Sequence, residues 1–147
     1  MRRNEALAPL SRDHHKGLFA AMKLKRAADD TAAGARGVFL AYWESDGRRH
    51  FQVEEEVLLP AWARHGAADH PAVVQVLTEH VDLRRRGGDV AAEEAPSLDQ
   101  LHELGERLER HIRHEERVLF PLIETTLPED ELAELARTIE EAESVGR

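Results

Sequence analysis

One eleven-residue stretch occurs twice in this chain, and its register limits what the rest can fold into. His50-Phe-Gln-Val-Glu54-Glu-Glu-Val-Leu-Leu-Pro60 aligns without gaps on His111-Ile-Arg-His-Glu115-Glu-Arg-Val-Leu-Phe-Pro121, 61 residues further on, with six of eleven positions identical. In both copies His and Glu stand four residues apart, which makes them neighbours on one face of a helix. The residues expected to share that face are apolar: Val57, Leu58 and Ala61 in the first copy, and Leu104, Leu108, Val118 and Leu122 around the second. Each copy therefore turns an imidazole and a carboxylate toward a core, and no Lys or Arg occupies the same stripes.

Glycine and proline divide the 147 residues into segments with a helical period and no stretch that alternates with period two. A first helix is expected over Leu10–Asp30, with Pro9 or Ser11 at its start, followed by a small-residue, breaker-rich loop from Thr31 to Gly37. A second should run from about Val38 to Arg64, with a weak point at Asp46-Gly47 and a kink at Pro60. A third is expected from Pro71 to Arg86, stopped by Gly87-Gly88, and the acidic segment from Gly87 to Ser97 is the longest expected loop. A fourth begins near Ser97 and reaches Thr126, and a short fifth carries Leu132, Leu135, Ala136 and Ile139. The predicted fold is all-α: an antiparallel up-and-down four-helix bundle over about 9–126 with a short C-terminal fifth helix over about 129–143, all in a single domain, 1–147.

Composition removes several functions. There is no cysteine, so disulfides, iron–sulfur clusters, thiolate metal sites and Cys nucleophiles are excluded. Twenty Lys+Arg stand against 29 Asp+Glu, a net charge of −9, which argues against nucleic acid as a partner. No apolar run approaches the ~20 residues needed to span a bilayer. The N-terminal MRRNEALAPLSRDHH has no apolar stretch behind its two arginines, so no signal peptide is read there and a cytoplasmic location is expected. Walker, dinucleotide-binding, Gly-x-Ser-x-Gly and His-Glu-x-x-His motifs are missing, as is the Glu-x-x-His spacing of ferritin-like carboxylate bundles.

Nine histidines are a high number for this length. His80 continues the stripe Val73, Val76 and Leu77 on helix three, ahead of Leu83. On helix one, His14 lies four residues from both Leu10 and Leu18, whereas His15 would share a face with Phe19 and Met22; either would bring an imidazole near the core, with His15 the alternate to His14. Four helices thus each turn a histidine inward, and two add a carboxylate one turn later. Buried carboxylates without compensation cost several kcal/mol each, and a metal cation relieves both carboxylates while taking the imidazole lone pairs. Imidazole plus carboxylate without thiolate suits iron, manganese or zinc. His65, His70, His102 and His114 lie in loops or off the stripes and are assigned to the surface, with Glu55 and Glu116 as solvated neighbours, one of which would serve as a hydrogen-bond acceptor beside the site.

The order of these residues resembles the hemerythrin-like family of His-His-Glu cation-binding domains, from Leu10-Ser-Arg-Asp-His-His15 through Pro121. The resemblance implies two non-haem iron ions, oxo- or hydroxo-bridged, in the core of a four-helix bundle, with zinc or manganese the lesser candidates. It assigns His14 (or His15), His50, Glu54, His80, His111 and Glu115 as ligands, with Glu54 and Glu115 bridging. Two departures from the oxygen-carrying members stand out. Their third helix has His-x-x-x-His, whereas Val76 stands four residues before His80 here, and their fourth helix places its carboxylate five residues after His rather than four. One iron would then lack a histidine, leaving an open position, a water or Tyr42 in its place. The implied function is binding or sensing of oxygen, nitric oxide or peroxide, ahead of a peroxide- or oxygen-consuming enzyme and of an iron-storage or metal-stabilised structural bundle. A protein partner is not specified.

Overall fold

A computed structural model describes residues 3–144. The first of the two N-terminal arginines, Arg2, and the last three positions of the expected single domain lie outside the described residues. Among the described residues five helices form: α1, Ala8–Lys25; α2, residues 32–62; α3, Pro71–Ala92; α4, residues 98–126; and α5, Glu129–Ser144. Among the described residues there is no strand, and no helix is long and apolar enough to cross a membrane. The fifth helix is not short: its 16 residues nearly match the 18 of α1.

The helix boundaries differ from the sequence expectation where a glycine or an end contact decides them. Pro9 sits in the first turn of α1, and the helix stops at Lys25 rather than Asp30. The turn that follows is held by Thr31 Oγ1, which accepts from the Ala28 N–H, and by His102, whose Nε2–H donates to the Ala27 carbonyl. The segment Thr31–Gly37 is not a loop, because α2 already begins at Ala32. Gly34 and Gly37 face open space, where each costs about 1 kcal/mol relative to alanine. Burial of Ala35 and Phe39 opposes that cost, as do two hydrogen bonds from Arg36 to the Val90 and Ala91 carbonyls. Likewise α3 runs through Gly87-Gly88 to Ala92. Gly87 allows close approach rather than a break, since a Cβ there would lie 3.1 Å from Phe39 Cζ. The connection shrinks to residues 93–97, and Ser97 and Gln100 close a reciprocal capping box on α4.

The expected weak points of α2 are π turns, at Trp43–Gly47 and Glu54–Leu58, and α4 has one at Glu115–Leu119. The last two occupy the same place in the repeat, between the carboxylate and the proline. Pro60 and Pro121 offer no N–H and crowd the preceding turn, and a widened turn just ahead accommodates both effects while the helix continues. A π turn also takes about one extra residue, so the apolar stripe slips by one beyond it. Leu58, Leu59 and Trp62 are buried where Val57, Leu58 and Ala61 were expected. In α4, Leu119, Phe120 and Ile123 are buried, while Val118 is 47% exposed and Leu122 only partly covered. Leu77 on α3 is likewise 40% exposed rather than in the core.

The core divides in two. One apolar cluster holds Leu7, Leu10, Leu58, Trp62, Val76, Phe120 and Ile123, and α5 packs on it through Leu132, Leu135 and Ile139. The other holds Ala21, Leu24, Phe39, Tyr42, Leu83, Leu104 and Leu108. On each of α1 to α4 a buried His, joined on α2 and α4 by a buried Glu, marks where one cluster gives way to the other.

Candidate metal centre

All six residues expected to face inward meet in that polar layer. His14, His50, Glu54 and Glu115 form one group and Glu54, His80, His111 and Glu115 another, each with its donor atoms within 4.8 Å of one another and all buried. Both carboxylates belong to both groups. His15 is exposed on the same side of α1 as Phe19, so of the two adjacent histidines it is His14 that enters the layer.

Every imidazole presents Nε2 to the inner carboxylates. His14 Nε2 lies 2.8 Å from Glu115 Oε1, His50 Nε2 3.1 Å from Glu54 Oε2, His80 Nε2 3.1 Å from Glu54 Oε1 and His111 Nε2 3.1 Å from Glu115 Oε2. Three of these buried atoms, Glu54 Oε2, Glu115 Oε2 and His111 Nε2, nevertheless make no hydrogen bond with any described residue. The atoms approach one another without aligning as donor and acceptor, which is costly unless something else takes their lone pairs. A cation placed among them does so, and nitrogen plus carboxylate oxygen is the matching donor set.

The opposite ring nitrogens are as regular. Nδ1–H donates to Glu116 from His14 (2.5 Å), to Asp13 from His50 (3.1 Å), to Glu55 from His80 (2.6 Å) and to Glu79 from His111 (2.7 Å). A carboxylate on Nδ1 fixes the ring's orientation and keeps a proton on that side, so Nε2 is the nitrogen that gives up its proton when a cation enters. Glu55 and Glu116 are thus both acceptors, not one of them, and they occupy the same repeat position. Asp13 and Glu79 escaped the sequence reading, yet a signal existed: each immediately precedes its helix's inward histidine, in Asp13-His14 and Glu79-His80. The two halves echo further. His80 stacks on Phe51 and His14 on Phe120, and Arg84 and Arg3 lie over those same phenyl rings while bonding Glu55 and Glu116.

The charges oppose one another strongly. Burial pushes His80 down, but Glu115, Glu54 and Glu55 outweigh it and raise it to about 10; in the same way Glu115 and Glu79 raise His111 to about 9. Burial also opposes the rise of His50 and His14, which Glu54 and Asp13 on one side and Glu115 and Glu116 on the other bring about. Glu115 is held well below the usual carboxylate range, burial being overcome by His111, His14 and His50. The His80 hydrogen bond lowers Glu55 to about 2.

The remaining histidines stay outside. His65 pairs with Glu131, His70 Nδ1 accepts from the Ala72 N–H at the start of α3, and His102 and His114 donate to backbone carbonyls. Tyr42 is buried in the apolar cluster with its hydroxyl against Gly17, and burial raises its pKa, which keeps it a neutral phenol. Val76 is fully buried, and the two groups come out equal, with two imidazoles each, rather than one lacking a partner.

No curated protein and no solved structure compared with the chain matches it. A profile of the Hemerythrin HHE cation binding domain does, over residues 9–123, a span that covers α1 to α3 and most of α4 with all six inner residues. The chain belongs to the hemerythrin HHE cation-binding domain family.

Proposed function

We propose that this is a non-haem di-iron protein that binds or senses a small molecule, oxygen, nitric oxide or peroxide, in the bundle core. The observation that carries the reading is the pair of buried two-His, two-Glu groups that share both carboxylates. His14, His50, Glu54 and Glu115 would hold one iron, and Glu54, His80, His111 and Glu115 the other. Bound iron would supply a redox-active Lewis acid with coordination positions that four protein donors leave free. The chain does the rest: outer carboxylates hold the Nδ1 protons, and the two apolar clusters exclude water from either side. The antiparallel up-and-down order of the four long helices is part of this reading. It is supported by pairs that step in opposite directions along neighbouring helices, such as Arg3–Glu124 with Lys25–Glu109 and His111–Glu79 with Arg107–Asp82.

A peroxide- or oxygen-consuming enzyme is the second reading, favoured by the equal groups, since neither has a third imidazole. Cycling oxygen over the ferrous-loaded protein separates them. A reversible visible band supports binding, and catalytic consumption that disappears in Glu54→Ala supports the enzyme. A loaded protein that ignores oxygen, peroxide and nitric oxide, and differs from the metal-free form only in melting temperature, would leave a structural or storage role instead.

A further inference from the structure

Two of the four inward imidazoles are held by an assembly that the other two lack. On the His80 side the contacts close a circuit. His80 Nδ1–H donates to Glu55 Oε2 at 2.6 Å, and Arg84 donates to the same oxygen at 2.9 Å. The Arg84 guanidinium lies 5.5 Å from the centre of the Phe51 ring, which stacks on His80 at 3.9 Å. The His14 side repeats the circuit. His14 Nδ1–H donates to Glu116 Oε2 at 2.5 Å, while Arg3 donates to Glu116 Oε1 at 3.2 Å and to its carbonyl at 2.9 Å. The Arg3 guanidinium lies 5.5 Å from the centre of the Phe120 ring, which stacks on His14 at 5.3 Å. Each metal group contains one histidine held in this way. Asp13 and Glu79, the acceptors of His50 and His111, pair with no arginine among the described residues. The rings beside His50 and His111 are tilted by 53° to 63° instead of stacked.

The repeat does not account for the likeness. It makes Glu55 and Glu116 equivalent, but Phe51 aligns with Ile112 and Phe120 with Leu59. Arg84 follows His80 by four residues on α3, whereas Leu18 stands four after His14 and the arginine there comes from ahead of α1. The same circuit is built twice from residues of different origin. Its parts explain what it does. Glu55 and Glu116 are 31% and 30% exposed, and a glutamate held by a single bond keeps rotamers that carry its carboxylate off the imidazole. The planar guanidinium holds that carboxylate from a second side while resting against the phenyl face. Since the phenyl also stacks on the imidazole, one aromatic ring steadies both ends of the Nδ1–H bond.

Taking the six inner residues as metal ligands, as proposed above, we infer that Arg84 and Arg3 are positioning residues: each holds one ligating histidine, His80 or His14, through its outer carboxylate and stacked phenyl ring, and so sets the metal affinity of one group alone. Charge by itself would act with the opposite sign, because a fixed cation near the site opposes the entry of another.

The test titrates cobalt(II) into the metal-free full chain against a competing chelator. A His14→Ala background leaves the His80/His111 group, and a His80→Ala background leaves the His14/His50 group. Arg84→Met keeps a long apolar stem over Phe51 without donors, and Arg84→Lys keeps the charge without the planar fork; the same two changes are made at Arg3. In the His14→Ala chain both Arg84 variants should weaken cobalt binding by roughly five- to tenfold and both Arg3 variants by less than about twofold, a loss no larger than the lower range for a group bonded directly to a ligating histidine. In the His80→Ala chain the order should reverse. A purely structural loss would lower the unfolding midpoint of the metal-free chain without choosing between the groups. Unchanged or tighter binding in the methionine variants, full affinity in the lysine variants, or an equal loss at both groups would overturn the role of the arginines and leave the metal centre standing. Where a doubly substituted chain does not fold or takes up no cobalt, the single arginine variants in the intact chain decide. There a loss confined to one of the two stepwise equivalents supports the role, and any other result overturns it. A wild-type chain that takes up no cobalt would overturn the metal centre itself, and this role with it.

Discussion

Metal and protons compete for the same four nitrogens, so loading the metal-free chain should expel protons. With His80 raised to about 10 and His111 to about 9, both are protonated at pH 7 before metal arrives, and His14 and His50 are raised as well. A ligating imidazole is neutral, so uptake of both ions at pH 7 should release roughly two to four protons per chain. Isothermal titration in two buffers of different ionisation enthalpy counts them. The same shifts set the pH dependence of the metal-free fold. A group whose pKa is raised on folding adds stability that is complete below its unfolded value, here 6.5, and is lost as the pH climbs through its folded value. For His111 alone, a rise from 6.5 to about 9 corresponds to roughly 3 kcal/mol, lost between those limits. The metal-free chain should therefore unfold at lower denaturant at pH 9.5 than at pH 6.5, while metal affinity rises over the same interval. Release of no protons at pH 7, or a metal-free chain that gains stability toward pH 9.5, would refute the reasoning.

Other perturbations separate the site from its surroundings. His111→Ala should lower metal content, whereas His102→Ala should keep it and lose only about 1 kcal/mol of stability with the bond to Ala27, read by denaturation and elemental analysis. Glu115 serves both groups, so Glu115→Ala should empty both positions, while His14→Ala should leave the His80/His111 group able to take metal, as stepwise titration would show. Gly105→Ala would place a Cβ 2.8 Å from the Ala21 carbonyl oxygen, where α4 meets α1. Backbone has little room to yield, so it should cost about 1–3 kcal/mol in chemical denaturation without changing metal stoichiometry.

Four of the six inner residues were legible because a four-residue spacing is local: His50 with Glu54 and His111 with Glu115 must share a helix face whatever surrounds them, whereas His80 followed from its apolar stripe and His14 was left open against His15. The outer carboxylates were harder, for a physical reason. Asp13 and Glu79 precede an inward histidine, and adjacent residues on a helix point in different directions, so each serves an imidazole on the neighbouring helix. Only the packing of helices reveals such a pair. The slipped stripes after Glu54 and Glu115 were hidden because a π turn interrupts the period that the reading relies on, and Val118 therefore traded places with Leu119. Gly34, Gly37, Gly87 and Gly88 read as breakers because local propensity was weighed without Phe39 and Arg36, whose tertiary contacts hold those segments helical. Glu143 continues the stripe Leu132, Leu135 and Ile139 of α5 four residues further on, and it was missed because only the apolar members of that stripe were followed.

The most direct test of the central claim is metal per chain, measured by elemental analysis on protein purified without added metal and again after anaerobic loading with ferrous iron. Two buried groups sharing two carboxylates predict about two irons per chain, at closest in the loaded sample. A single zinc, or no metal retained after loading, would contradict the di-iron account and leave the four inward histidines to be explained as ion pairs with Glu54, Glu115 and the four outer carboxylates.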